Sequence, residues 1–78
     1  MKLRAVVARN LRVLRKQRGF TQEELADRAG INRNYVGQIE REEKSPTVDV
    51  VEKLARSLEV RPIYLFGDAA HFRRQDGS

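Results

Sequence analysis

Apolar positions recur along this chain with helical spacing. Leu3, Val7, Leu11 and Leu14 are separated by four, four and three residues, the stripe of a helix predicted over residues 3–18. Gly19 follows as a stop signal. Thr21 and Glu24 then have the spacing of a capping box, in which the hydroxyl accepts from one free N–H while the carboxylate reaches back to another. They open a second helix over 22–29, with Phe20 placed to pack on Leu25 as a hydrophobic staple. Gly30 can take the left-handed conformation of a sharp turn. Asn32 suits the N-cap of a third helix over 33–41. Ser45-Pro46-Thr47 interrupts the chain, and Thr47 caps a fourth helix over 48–58 whose apolar side carries Val48, Val51, Leu54, Ala55 and Leu58. Pro62 fits the first position of a short fifth helix over 62–66, closed by Gly67. No stretch reads convincingly as a strand. The expected fold is all-α, five helices in one compact domain over 1–67, with 68–78 as a flexible polar tail.

Helices of eight or nine residues are not stable alone in water, so the second and third must pack on the first and fourth. Two short helices meeting at a Gly-containing turn, residues 22–41, make a helix-turn-helix unit. At 100° per residue, Arg33, Gly37, Arg41, Asn34 and Gln38 share one arc of the third helix, and Val36 and Ile39 lie opposite. The polar arc holds the side chains that pair with base edges in the major groove, Arg with guanine and Asn or Gln with adenine. The alternative is an ordinary amphipathic helix with a wet face, although such faces are usually rich in Glu and Lys.

The 78 residues leave room for one domain. The net charge of +5 is unevenly spread. Residues 1–20 carry seven basic side chains and no acid, whereas 21–45 carry four bases and six acids. A one-sided basic segment fits an anionic partner, nucleic acid or a membrane surface, or is a solvated helix face. There is no cysteine, hence neither a disulfide nor a thiolate metal site, and the single histidine, His71, falls in the tail. No apolar run reaches the ~18 residues of a membrane span, and no continuous apolar core follows Met1-Lys2-Leu3-Arg4 as a secretory signal would require. A cytoplasmic location is expected. No nucleophile–base pair, phosphate loop or paired carboxylates suggest an enzyme, and neither a cofactor nor a small-molecule ligand is expected.

Three further groups stand out. Glu40 lies at the edge of the buried arc, where a carboxylate needs a partner, and Arg15 on the first helix is the candidate; otherwise both are solvated. Gln22 begins a helix, where free N–H groups and the dipole favour an anion such as a DNA phosphate, or it is simply a good helix former. Val60, Ile63, Tyr64 and Phe66 form a dense apolar cluster, either a dimer surface or the closing side of the monomer core, with Tyr64 expected to be the most exposed.

The stretch 10–41, Asn-Leu-Arg-Val-Leu-Arg-Lys-Gln-Arg-Gly-Phe-Thr-Gln-Glu-Glu-Leu-Ala-Asp-Arg-Ala-Gly-Ile-Asn-Arg-Asn-Tyr-Val-Gly-Gln-Ile-Glu-Arg, resembles the Cro and phage-repressor (XRE) helix-turn-helix family. The likeness continues through Ser45-Pro46-Thr47 and Leu54-Ala55 to Leu65-Phe66. It implies a five-helix lambda-repressor-like domain that binds operator DNA as a two-fold dimer. Matched by position, Gln22 corresponds to a phosphate-binding glutamine. Arg33, Asn34 and Gln38 correspond to base-reading positions, and Tyr35 and Arg41 to positions that touch the DNA backbone. Arg15 and Glu40 correspond to a buried ion pair. The chain departs from the family at Glu42 and Glu43, where Gly and a basic residue are usual. Glu42 must then adopt a left-handed conformation at a cost of about 1–2 kcal/mol, or the loop differs. Lys44 is left as that loop's candidate phosphate contact. The short length and the segment Arg33–Arg41 especially resemble controller proteins of restriction–modification systems.

The expected function is thus a transcriptional regulator binding a palindromic site in double-stranded DNA as a homodimer, with helix 33–41 in the major groove. The competing reading is an antitoxin that binds a protein toxin and regulates its own operon. Membrane binding through the first helix is disfavoured because its basic residues are scattered and no Trp anchors it.

Overall fold

The computed structural model describes residues 2–67; the expected tail and His71 lie outside the described residues. Four α-helices, α1 (Leu3–Gln17), α2 (Gln22–Ala29), α3 (Tyr35–Glu40) and α4 (Val48–Leu58), are followed by a 3-10 helix, Pro62–Leu65. The described residues contain no strand. The fifth expected helix is therefore a single 3-10 turn, with Tyr64 N–H donating to the Arg61 carbonyl and Phe66 N–H to the Ile63 carbonyl.

The core is one cluster. Val7, Leu11 and Leu14 from α1 meet Leu25 and Ala26 from α2, Val36 and Ile39 from α3, Val51, Leu54, Ala55 and Leu58 from α4, and Leu65. Two residues of the expected apolar stripes lie outside it. Leu3 and Val48 open their helices, and Val48 is 85% exposed. With no preceding turn to pack over, these positions overhang the core instead of entering it.

Each α-helix stops in the same way. The residues Gly19, Gly30, Glu42 and Glu59, just beyond α1 to α4 in turn, all have positive φ, between 59° and 75°. Behind them run the paired bonds of a Schellman motif: Phe20 N–H to the Arg15 carbonyl, Ile31 to Ala26, Glu43 to Gln38, and Val60 to Ala55. The starts of α2 and α4 are side-chain capped, by Thr21 and by Thr47. Asn10 is buried on α1 and donates its amide to the Leu65 and Gly67 carbonyls, tying α1 to the chain end of the domain.

Candidate nucleic-acid interface

The helix-turn-helix unit assembles from local capping. Thr21 Oγ accepts from Glu24 N–H at 3.0 Å, and Glu24 Oε1 accepts from Thr21 N–H at 2.8 Å. These exposed bonds hold the Glu24 carboxyl below its ordinary pKa. After the turn at Gly30, the third helix begins two residues later than its pattern suggests. Asn32 Oδ1 accepts from Asn34 N–H at 2.8 Å, so Asn32 closes an Asx turn instead of capping a helix. Arg33 and Asn34 occupy that turn, α3 proper runs Tyr35–Glu40, and Arg41 is its C-terminal cap.

This shift leaves the candidate reading residues together. Gln22, Glu23, Arg33, Asn34, Gly37, Gln38 and Arg41 line one shallow polar concavity of about 220 Å³. Arg33, Asn34 and Arg41 are exposed and Gln38 is half-buried, while Val36 and Ile39 on the other side of α3 are fully buried. Gly37 floors the concavity, and a Cβ there would stand 2.9 Å from both Arg41 Nη1 and Gln22 Oε1. Its missing side chain is what lets those two groups lie across α3. Tyr35 is half-buried against the core, and Lys44 is exposed in the loop after α3. That loop contains Glu42 at φ 63°, the left-handed conformation required by the departure from Gly.

Beneath the concavity lies a charged hub. Glu40 is 3% exposed, and Arg15 grips it with two bonds, Nε to Oε2 at 2.7 Å and Nη2 to Oε1 at 3.0 Å. Arg15 Nη1 also donates to the Phe20 carbonyl at 2.8 Å, and Arg12 Nη2 to the Glu40 carbonyl at 2.9 Å. The Gln22 amide, first residue of α2, donates to Glu40 Oε1 at 3.0 Å. Its side chain is thus anchored from below, not standing free above the helix end. Burial alone would raise the Glu40 pKa; the hydrogen bonds from Arg15 and Gln22 and the charges of Arg15 and Arg12 outweigh it and hold the carboxyl below its ordinary value.

Acids attend both arginines of the concavity; Glu23 and Asp27 do not stand out in the sequence pattern, and Glu43 does so only as a departure from the family. Arg33 Nη2 donates to Glu23 Oε1 at 3.0 Å, and its Nε lies 3.6 Å from Asp27 Oδ1. Arg41 donates Nε to Glu43 Oε2 at 2.9 Å and Nη2 to Glu43 Oε1 at 3.3 Å, which lowers the Glu43 pKa and raises that of Arg41. Glu23 and Asp27 are one turn apart on α2, but nothing in that spacing reports that the turn carrying Arg33 packs beside them.

The C-terminal cluster divides differently from its expected exposure. Ile63 is 50% and Phe66 41% exposed, whereas Tyr64 and Val60 are half-buried against the core. A 3-10 helix has three residues per turn, so Ile63 and Phe66 eclipse on one line while Leu65 turns inward. Tyr64 is therefore not the most exposed member. Among the described residues no helix is long and apolar enough to cross a membrane.

The chain matches the Helix-turn-helix family HTH_3 over residues 11–65. A hypothetical transcription factor of Neisseria meningitidis is 43% identical over 58 residues, 74% of this chain, and the chain covers 55% of that protein's length. The uncharacterized HTH-type transcriptional regulator y4dJ of Sinorhizobium fredii is 37% identical over 65 residues, 83% of this chain and 84% of that protein. Among solved structures, the hypothetical transcription factor NHTF from Neisseria superposes with a TM-score of 0.86 at 35% identity over 95% of this chain and 85% of that one. The restriction-modification controller protein C.AhdI from Aeromonas hydrophila gives 0.78 at 36% identity over 81% and 96%. With the family match spanning most of the domain, and the turn, the caps and the Arg15–Glu40 pair all in place, the chain belongs to the XRE-type helix-turn-helix family.

Proposed function

We propose that this chain is a sequence-specific double-stranded-DNA-binding transcriptional regulator, working in the cytoplasm, that sets α3 and its preceding turn into the major groove. The observation that carries the reading is the exposed polar concavity of Arg33, Asn34 and Gln38, backed by buried Val36 and Ile39. Those three side chains read base edges, which discriminate through their donors and acceptors. Gln22, Tyr35, Arg41 and Lys44 contact phosphates and set the register. The regulators named among its relatives support the same assignment. One concavity offers few base contacts, so two copies bind a palindrome, their recognition elements about 34 Å apart on successive major grooves. Val60, Ile63, Tyr64 and Phe66 form the contact between them.

Selection of bound sites from random duplexes tests this reading, and a two-fold symmetric consensus is the expected outcome. On that site Arg33→Ala lowers the preference for selected over shuffled DNA by about 1–3 kcal/mol. Gln22→Ala weakens both alike. Equal losses for both variants on both duplexes would remove the division of roles, and failure to enrich any sequence would remove the reading itself.

A further inference from the structure

The two arginines of the concavity are held in the same way. Glu23 and Asp27 meet Arg33 through Nη2 and Nε, the side edge of the guanidinium. Glu43 meets Arg41 through the same pair of atoms. Among the described residues, no hydrogen bond engages Nη1 of Arg33, and Nη1 of Arg41 lies over Gly37. The side edges are taken and the end forks remain. An end fork supplies two parallel N–H groups, the set that guanine O6 and N7 accept.

We infer that Glu23 is a specificity-determining residue of the reading face: it cancels the attraction of Arg33 for phosphate while leaving its end fork directed to a base. This rests on the DNA-reading assignment above. An unpaired arginine is drawn to every phosphate, and phosphates are the same in all sequences. An arginine with a carboxylate fixed to its side edge is a near-neutral donor pair. It keeps its hydrogen bonds to guanine, a neutral acceptor, and loses most of its pull on the backbone. The carboxylate itself repels any phosphate that approaches out of register. The charges are segregated to match. None of the seven basic side chains of residues 1–20 lines the concavity, although Arg12 and Arg15 hold Glu40 beneath it, and its two arginines are met by Glu23 in the lining and by Asp27 and Glu43 beside it.

The Arg33 and Glu23 side chains are each 62% exposed, so their pairing contributes little to folding and can be removed without unfolding the domain. A matched control exists in the Arg18–Glu59 pair, 3.2 Å apart and also exposed, which does not line the concavity.

The test uses the full chain, the duplex it selects from random DNA, and a base-shuffled duplex of equal length, with affinities measured across salt concentrations. Glu23→Gln binds the shuffled duplex about fivefold tighter, the effect of one unit charge at contact distance in water. Its log–log salt slope steepens by about one unit, as for one further phosphate contact. Its affinity for the selected duplex changes less, so the preference falls. Glu59→Gln leaves the preference at its wild-type value. A gain of affinity for shuffled DNA cannot come from a damaged fold. An unchanged preference in Glu23→Gln, an equal change in Glu59→Gln, or a loss of binding to both duplexes overturns the inference. If the wild-type chain enriches no sequence, the DNA-reading assignment falls first and this one with it; a wild-type consensus with an unaltered preference in Glu23→Gln overturns this one alone.

Discussion

At the scale of the residue, Glu40 concentrates the opposition between burial and charge. It is tolerated because Arg15, Arg12 and Gln22 all converge on it. Arg15→Ala leaves a buried carboxylate with weakened compensation, and a loss of about 3 kcal/mol is expected from denaturant unfolding. A loss below about 0.5 kcal/mol would equate the pair with an exposed one. The folded-state pKa of Glu40 lies below its ordinary 4.5, so its contribution to stability is complete above that value and is lost as the pH falls below it. Glu40→Gln is less stable at neutral pH and shows a shallower decline in acid, checked by unfolding from pH 7 to 3. The pairing of Arg15 with Glu40 was legible because both lie on strips fixed by helical periodicity. The buried amide of Asn10, the inward bond of Gln22 and the acids on Arg33 were not. Each depends on how two elements meet, and spacing within one element carries no record of that.

At the scale of the element, the interior of every α-helix follows its apolar period, and the departures are at the ends. Asn32 has two uses for one side chain, helix cap or Asx turn, and it takes the second, which delays α3 to Tyr35. The 3-10 geometry at Pro62–Leu65 rotates the apolar residues of 62–66 relative to an α-helix and helps decide which of them face out. Glycine marked two helix ends, while the ends at Glu42 and Glu59 carry no glycine and store the left-handed penalty. Glu59→Gly removes that penalty at a site away from the polar concavity. The expected gain is about 1 kcal/mol, a rise in melting temperature of roughly 4–8 °C for a domain of this size. No rise would mean that the surrounding bonds already relieve the strain.

At the scale of the whole molecule, a domain this small has a thin core, and the proposed dimer would add to it. Within 60–66, Ile63 and Phe66 form the exposed apolar line, so the test of the proposed dimer belongs at Ile63 rather than Tyr64. Ile63→Arg replaces a half-exposed side chain and should leave monomer packing intact. Sedimentation is expected to show loss of the dimer, with weaker binding to the two-fold site; an unchanged dimer mass would remove this surface. Leu3, Val48 and Phe66 together edge a second apolar groove of about 430 Å³ against Val7, Val51 and Pro46. It lies apart from the polar concavity, so the two surfaces can be altered independently.

The sequence by itself determined that the chain is helical, where its turns fall, which faces are buried and that α3 opposes a polar arc to an apolar one. Those properties are written in local spacing, capping chemistry and the φ preferences of single residues. Only the tertiary structure decided that Gln22 leans on Glu40, that Arg33 and Arg41 come with acids attached and that Ile63 rather than Tyr64 faces outward. Such contacts are set by the relative placement of elements, and the packing of the common core fixes that placement.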